Sequence, residues 1–345
     1  MARVLAASLL VAMAGCDAAP VENDLSAKNL VLVINSADPD SVRVGELYAQ
    51  VHQVPSKNVL YVETPVKDTL TMQEFRTLHR RVEAELPPGT SGVALAWAKP
   101  FRVACMSITS AFAFSGNVGA CAQGCKTTLE NPWYLDPKGT QATTRESLRT
   151  ILLTAGEVAA SIRLVERSRL LLPRAESPHA TEPSALRAVD ADALLVLSGD
   201  KNRDRRTASF NRLVQQPPGQ VVLRKLQGFP SRADGVMFYF TGATSVPNLD
   251  RVDFLPGAIA DHLTSHGGDL YGNKQMSALA WIEAGASGSY GTVREPCNFP
   301  GKFPDPDIVV RRYLNGEALL EAYWASVRMP GQGLFIGDPL ARPFL

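Results

Sequence analysis

Three side chains near the carboxyl end of the sequence have the residue types that nucleophilic catalysis requires. His262 and His266 are four positions apart, and Cys297 follows a glycine-bearing segment, residues 285–292. A histidine base beside a cysteine generates a thiolate, the nucleophile of cysteine-dependent hydrolases. The sequence therefore contains a candidate catalytic set of His262, His266 and Cys297.

The cysteine count supports a second interpretation of Cys297. Cys16 is counted separately because the amino-terminal sequence, discussed below, predicts that it carries lipid. The chain then has four cysteines: Cys105, Cys121, Cys125 and Cys297. An even number in an exported protein predicts two disulfides, with three possible pairings. The closeness of Cys121 and Cys125 favours a local bridge, which leaves Cys105 for Cys297. The even count favours a bonded Cys297, and the free thiol remains the alternative.

Motifs for cofactors, metals and other nucleophiles do not occur in the sequence. It has no G-x-x-x-x-G-K-[ST] phosphate loop, no G-x-G-x-x-G after a strand and no G-x-S-x-G elbow. His262 and His266 have no convincing third metal ligand, and the cysteine spacing does not suit zinc. We therefore predict no cofactor and no metal.

The elements that must position these residues alternate between strands and helices. We expect strands at 29–35, 58–63, 92–98, 193–198, 236–241 and 285–290, and helices at 42–51, 71–86 and 144–167. This alternation predicts an α/β fold, a doubly wound and mostly parallel sheet with helices on both faces. We expect a further helix from Pro256 to Gly267, which would place His262 and His266 on one face. Cys297 then lies beyond the carboxyl end of a strand, where α/β proteins bind ligands.

The amino-terminal residues indicate export. Residues 1–15 combine one cation with an apolar run too short to span a membrane, as in a signal peptide. The sequence Met-Ala-Gly-Cys that ends at Cys16 resembles the lipobox of bacterial lipoproteins, so we expect Cys16 to carry lipid. Asp17 favours the periplasmic face of the inner membrane, with the outer membrane as the alternative. Residues 16–28 form a tether, and residues 29–345 one α/β domain with a loop insertion at 173–187.

Charge and composition exclude several classes of partner. The 345 residues include 35 Lys and Arg against 34 Asp and Glu, a net charge of +1. Such a balance provides no field for nucleic acid, so we predict no nucleic-acid partner. The expected partners are the membrane, through the lipid anchor, and an envelope protein.

Several long segments resemble an uncharacterised protein family found in bacteria that carry the exosortase sorting system. They are LVLVINSADPDSVRVGELYAQVHQVPSKNV, CMSITSAFAF around Cys105, FLPGAIADHLTS, AGASGSYGTVREPCNFPGKFP and FIGDPLARPF. The likeness covers roughly residues 29–345. It implies a role linked to exosortase-dependent envelope processing and brings no established activity.

A more distant likeness concerns the fold of gingipain- and caspase-type cysteine peptidases. Those proteins have a "GA…GS" strand, a G-x-x-L/x-EA helix and a closing GDP turn, similar to residues 285–292, 316–322 and 337–339 here. They carry a His-Gly pair at one strand end and a nucleophilic Cys at the next, before the "GA" strand. His266-Gly267 has the right letters, but Cys297 follows the "GA" strand. This difference favours a non-catalytic envelope lipoprotein, with a hydrolase using Cys297 and His262 or His266 as the alternative.

Overall fold

The computed structural model of the protein describes residues 25–121, 125–136, 147–172 and 191–344. The signal peptide 1–15, Cys16, Asp17, most of the tether 16–28 and the loop 173–187 lie outside these residues. Within the described ranges, no helix has both the length and the apolar character needed to cross a membrane.

The described residues contain thirteen strands and eight α-helices. The strands are β1 (Leu30–Asn35), β2 (Val59–Val62), β3 (Thr69–Leu70), β4 (Gly92–Leu95), β5 (Arg102–Val103), β6 (Met106–Ser107), β7 (Thr150–Leu152), β8 (Asp192–Leu197), β9 (Val222–Gln227), β10 (Ala233–Thr241), β11 (Val252–His262), β12 (Gly288–Thr292) and β13 (Gly333–Gly337). The helices are α1 (Pro39–His52), α2 (Met72–Glu85), α3 (Ile108–Ala113), α4 (Val158–Ser168), α5 (Thr207–Gln215), α6 (Leu279–Ala284), α7 (Pro306–Leu314) and α8 (Leu319–Ser326).

Ten of the strands form one sheet, in the order β2-β1-β4-β7-β13-β12-β11-β10-β8-β9. Every neighbouring pair is parallel except β12 and β13, which are antiparallel. The remaining strands make a small sheet in the order β3-β5-β6. The prediction of an α/β fold with a large, mostly parallel sheet is confirmed.

The antiparallel contact divides the large sheet into two halves with the same strand order. The first half has the order β2-β1-β4-β7, and the second has β9-β8-β10-β11. In each half the chain moves from an inner strand to the outer edge and then returns past its starting strand. The order therefore reverses once in each half, between β1 and β4 and between β8 and β10. Such points of reversal leave a crevice at the carboxyl ends of the strands.

The first β-α-β unit follows directly from its sequence. All six residues of β1 are buried, as expected of an apolar strand with parallel neighbours on both sides. The Asp38 carboxylate caps α1 by accepting the Asp40 N–H at 3.1 Å, and Pro39 occupies the first turn, where it has no N–H to leave unpaired. Thr71 and Glu74 form a reciprocal capping box at the start of α2.

The helix expected from Pro256 to Gly267 is wrong, because these residues belong to β11 and the loop after it. Phe254 pairs with Val236 and Ile259 with Phe238, so β11 advances five positions while β10 advances two. Pro256 lies in this irregular stretch, where its missing N–H breaks no regular ladder bond. His262 is therefore the last residue of a strand, and His266 is not one helical turn away from it.

The helix expected at 144–167 is also wrong in its first half. Thr150–Leu152 is the buried strand β7 between β4 and β13, while residues 144–146 lie outside the described part. Gly156, at φ +86°, makes the turn after β7, and α4 begins at Val158. The strand expected at 285–290 occurs as β12, three residues later in its start and directly after α6.

Candidate functional site

His262 is buried inside the protein and uses both of its ring nitrogens there. Its Nδ1 accepts the indole N–H of Trp281 at 2.8 Å, and its Nε2 lies 2.9 Å from the carbonyl oxygen of Met276. Because an indole nitrogen only donates, Nδ1 must be the unprotonated nitrogen and Nε2 carries the proton that it donates to Met276. The side chain has no exposed surface. It therefore has no lone pair with which to take a proton from a thiol.

Electrostatics hold His262 in this neutral state. Its pKa is lowered from 6.5 to about 4, mainly by burial and in part by the positive charge of Arg206, while the hydrogen bond to the Met276 carbonyl acts in the opposite direction. A general base for thiol chemistry needs a pKa near the working pH. His262 therefore acts as a hydrogen-bonding residue of the core.

Cys297 is bonded to Cys125, and Cys105 is bonded to Cys121. Two disulfides were expected, and the structure has two. The pairing favoured from sequence, Cys121 with Cys125 and Cys105 with Cys297, is wrong. Cys105 lies in the turn between β5 and β6, so the fold brings it to Cys121, and Cys125 is then left for the loop that follows β12. In this state Cys297 has no thiol.

His266 lies near the Cys297 loop. It follows β11 in a partly exposed loop, where its backbone N–H donates to Gln275 Oε1 at 2.8 Å. Burial and Lys274 lower its pKa, while the charge of Glu295 raises it. The same Glu295 accepts the N–H of Cys297 at 2.8 Å. His266 and Cys297 therefore share a neighbouring carboxylate, whereas His262 is enclosed among core residues.

No metal centre forms around these residues. Across the described ranges, no group of three or more His, Cys, Asp or Glu side chains is arranged to hold a metal ion. Asp269, close in sequence to His266, is paired with Arg102 at 2.7 Å.

A cleft lies at the carboxyl ends of β1, β4 and β7. It has a volume of about 400 Å³ and lies where the strand order of the first half reverses. Its lining comes from the segments that leave these three strands: Asp38, Asp40, Ser41 and Val44 after β1, Ala96–Lys99 after β4, and Leu153, Thr154, Gly156–Val158 and Ser161 after β7. Val66 and Tyr271 complete the lining. We call this feature the β1/β4/β7 cleft.

Carboxylates dominate the charge of the β1/β4/β7 cleft. Asp38 and Asp40 stand at the start of α1, and Glu157 precedes α4 without capping it. Among the described residues, none of these three has a cationic partner within ion-pair distance. Of the described residues that line the cleft, only Lys99 is cationic, and it is already paired with Asp68 at 2.8 Å.

Tyr271 brings an aromatic ring to the cleft from the second half of the chain. The ammonium group of Lys99 lies 4.3 Å from the centre of this ring, an electrostatic contact between a cation and the ring face. Burial raises the pKa of Tyr271 to about 12, and the charges of Glu157, Asp68 and Asp38 add to this effect. The phenol therefore stays protonated at neutral pH and keeps a hydrogen to donate.

The corresponding crevice of the second half, between β8 and β10, is filled by the chain itself. The carbonyl oxygen of Arg203 packs directly against Gly242, where any Cβ would overlap it. Asp204 Oδ1 accepts the N–H and the hydroxyl of Ser198 at 2.8 and 2.9 Å. The side chain of Arg206 is buried against Asp261 at 2.5 Å. The loop between β8 and α5 thus closes this crevice.

The sequence analysis missed the β1/β4/β7 cleft, although one signal was present. Asp38 and Asp40 follow the first buried strand and precede a helix, which is the position where open α/β sheets bind ligands. Tyr271 has no local pattern that would place it beside them. Comparisons with protein-family models, with curated proteins and with solved structures found no match for this chain.

Proposed function

We propose that the protein is a non-catalytic binding or accessory protein of the bacterial envelope that holds a small ligand in the β1/β4/β7 cleft. The bonding of the candidate catalytic residues, together with an open cleft, carries this proposal. Cys297 is in a disulfide, and the ring of His262 is fully engaged in hydrogen bonds inside the core. The candidate nucleophile Cys297 and the candidate base His262 therefore already form bonds within the protein. In contrast, a cleft at a favoured binding position is open to solvent.

The envelope location is part of the proposal. We propose that residues 1–15 direct export, that Cys16 is lipidated and anchors the chain, and that Asp17 favours the inner membrane over the outer one. Two disulfides in one chain support an oxidising compartment such as the periplasm. The family resemblance adds a partner in exosortase-dependent envelope processing.

We also propose a distant relationship to the gingipain and caspase fold, with helices on both faces of the sheet. His266-Gly267 follows the strand β11, which is the position that those peptidases give to their His-Gly pair. Cys297 follows β12 rather than preceding it. The relationship would then concern the architecture and not the peptidase chemistry.

The alternative is a cysteine-dependent hydrolase in which His266 serves as the base. Glu295 favours it, because this carboxylate lies near His266 and also bonds the backbone of Cys297. Such an enzyme would require reduction of the Cys125–Cys297 bridge.

The two functions are separated by the reactivity of Cys297. The native protein is treated with iodoacetamide without reductant, digested, and mapped by mass spectrometry. We expect unmodified Cys297 in a bridged peptide with Cys125, and no peptide-ester hydrolysis above that of a Cys125→Ser/Cys297→Ser variant. Alkylation of Cys297 in the native protein, or hydrolysis that the double variant loses, would overturn the binding-protein proposal. If the protein is a hydrolase, the Cys297 thiol of the reduced protein should have a lowered pKa, and His266→Ala should return that pKa to its ordinary value.

A further inference from the structure

The size and floor of the β1/β4/β7 cleft indicate an organic ligand. Its volume of about 400 Å³ equals the space of about a dozen water molecules. Val44, Ala96 and Leu153 give it an apolar floor, and Val158 adds an apolar wall. A bare ion would leave this volume and this apolar surface unused. The cleft therefore suits a small molecule with a carbon skeleton.

The charge around the cleft selects among such molecules. Asp38, Asp40 and Glu157 bring three carboxylates, and the charge of Lys99 is balanced by Asp68. The amino ends of α1 and α4 contribute opposing dipoles of about half a positive charge each. Three carboxylates exceed these two half-charges, so the potential in the cleft is negative. An anionic ligand is disfavoured, and a cationic one is attracted.

The aromatic wall points to the same class. Lys99 Nζ sits over the ring of Tyr271 at 4.3 Å, which shows that an ammonium group is accommodated against this ring. The charges of Glu157, Asp68 and Asp38 all act on the Tyr271 phenol, and Glu157 and Asp38 line the same cleft as its ring. Carboxylates next to an aromatic face are the arrangement that recognises protonated amines.

We propose that the β1/β4/β7 cleft binds a small organic amine, with its ammonium group between Glu157 and the Asp38–Asp40 start of α1 and its carbon chain on the apolar floor. This inference rests on the proposed binding function and names the ligand class of the same cleft. Asp68 and Lys99 then form the rim, and Tyr271 covers one side.

The test uses a matched pair of probes, 1,5-diaminopentane and 1,5-pentanediol, titrated into the oxidised protein by isothermal calorimetry. The diamine and the diol have the same carbon chain and differ in charge. We expect the diamine to bind and the diol to bind at least tenfold more weakly. A higher salt concentration should weaken the binding of the diamine, because part of its affinity for an open, charged cleft is electrostatic.

Charge-neutralising variants locate the binding. Asp38→Asn removes a charge while keeping an oxygen that can cap α1, and Glu157→Gln removes a charge from a side chain that makes no cap bond. Each substitution should raise the dissociation constant of the diamine about fivefold, which is the effect of losing a solvent-accessible ion pair. The control is Glu85→Gln, the same change of charge at the end of α2, where the chain leads into the amino end of β4. It should leave binding unchanged.

The outcomes separate this inference from the proposed function. Equal binding of diol and diamine, or diamine binding that the cleft variants do not weaken, overturns the amine assignment and leaves a binding protein of another ligand class. Absence of heat with both probes also overturns it. A reactive Cys297 in the native protein overturns the proposed function, whatever the probes show.

Discussion

The hydrogen bonds of His262 make the stability of this protein depend on pH in a calculable way. The native ring is neutral, with a pKa of about 4 instead of the ordinary 6.5. Below pH 6.5 the unfolded chain binds a proton at this position and the native chain does not, so stability falls with falling pH until the native ring also titrates near pH 4. Each pKa unit corresponds to about 1.4 kcal/mol. Between pH 7 and pH 5 this one histidine should cost about 2 kcal/mol.

The matched variant is His262→Gln, whose amide can donate to the Met276 carbonyl and accept from Trp281 without titrating. Urea unfolding of both proteins at pH 7 and pH 5 gives the comparison, with the disulfides intact. Wild type should lose about 2 kcal/mol more than the variant over this interval, since all other titrating groups are shared. Equal losses would refute the reasoning, as would an NMR titration of His262 at or above pH 6.5. Either result would mean that the ring is open to protonation, as a catalytic base must be.

Three further predictions concern bonds that hold the two crevices and their loops. Removing the Cys125–Cys297 bridge, which closes a loop of 172 residues, should destabilise the protein by about 5 kcal/mol. Removing the Cys105–Cys121 bridge, which closes a loop of 16 residues, should cost about 3 kcal/mol. Denaturant unfolding of the two Cys→Ser double variants measures both losses, and the reverse order would contradict the loop-entropy explanation. Arg206→Met should cost about 3–5 kcal/mol because it leaves Asp261 buried without its partner, and Arg206→Met/Asp261→Asn should recover much of that loss in the same assay. Asp38→Ala should lower stability by about 1 kcal/mol through loss of the α1 cap, and Asp38→Asn by much less; similar losses in thermal unfolding would show that the cap is not the cause.

Local signals in the sequence were enough to predict β1, β2 and β4 of the first half, although the residues of β7 were expected to be helical. The strand β1 is an unbroken apolar run, and its cap, its helix and the strand β2 follow within about 30 residues. Elements whose signals are local are predicted best, because hydrophobic period, capping residues and turns can all be read in one window. The same signals gave α2 within one residue at each end.

The second half shows where such reasoning fails. Pro256 of β11 and the pair Gly267-Gly268 in the loop after it have the spacing of a helix start and stop, and the apolar run between them fits either element. What decides for a strand is pairing with β10 on one side and β12 on the other, and the residues of β11 alone do not reveal these partners. The predicted pairing of the cysteines was wrong for the same reason. Nearness in sequence favoured Cys121 with Cys125, whereas the small β5–β6 turn brings Cys105 to Cys121.

In the candidate site, too, some residues could be found from local sequence signals and others only from the fold. His262, His266 and Cys297 were selected by residue type, and type does not reveal whether a ring nitrogen or a sulfur is already bonded. The cleft carboxylates Asp38 and Asp40 are local to β1, but Tyr271 joins them across more than two hundred residues. No spacing rule connects such positions.

The contrast between the two crevices gives a physical reason to place function in the first half. In the second half, charged groups at the crevice are paired within the chain: Asp204 accepts bonds from Ser198, and Arg206 forms an ion pair with Asp261. In the first half, Asp38, Asp40 and Glu157 gather at the mouth of an open cleft. Like charges placed together cost stability unless a counter-charge joins them. The proposed binding function follows this contrast: a cation with an apolar body would match both the negative charge and the apolar floor of the open cleft.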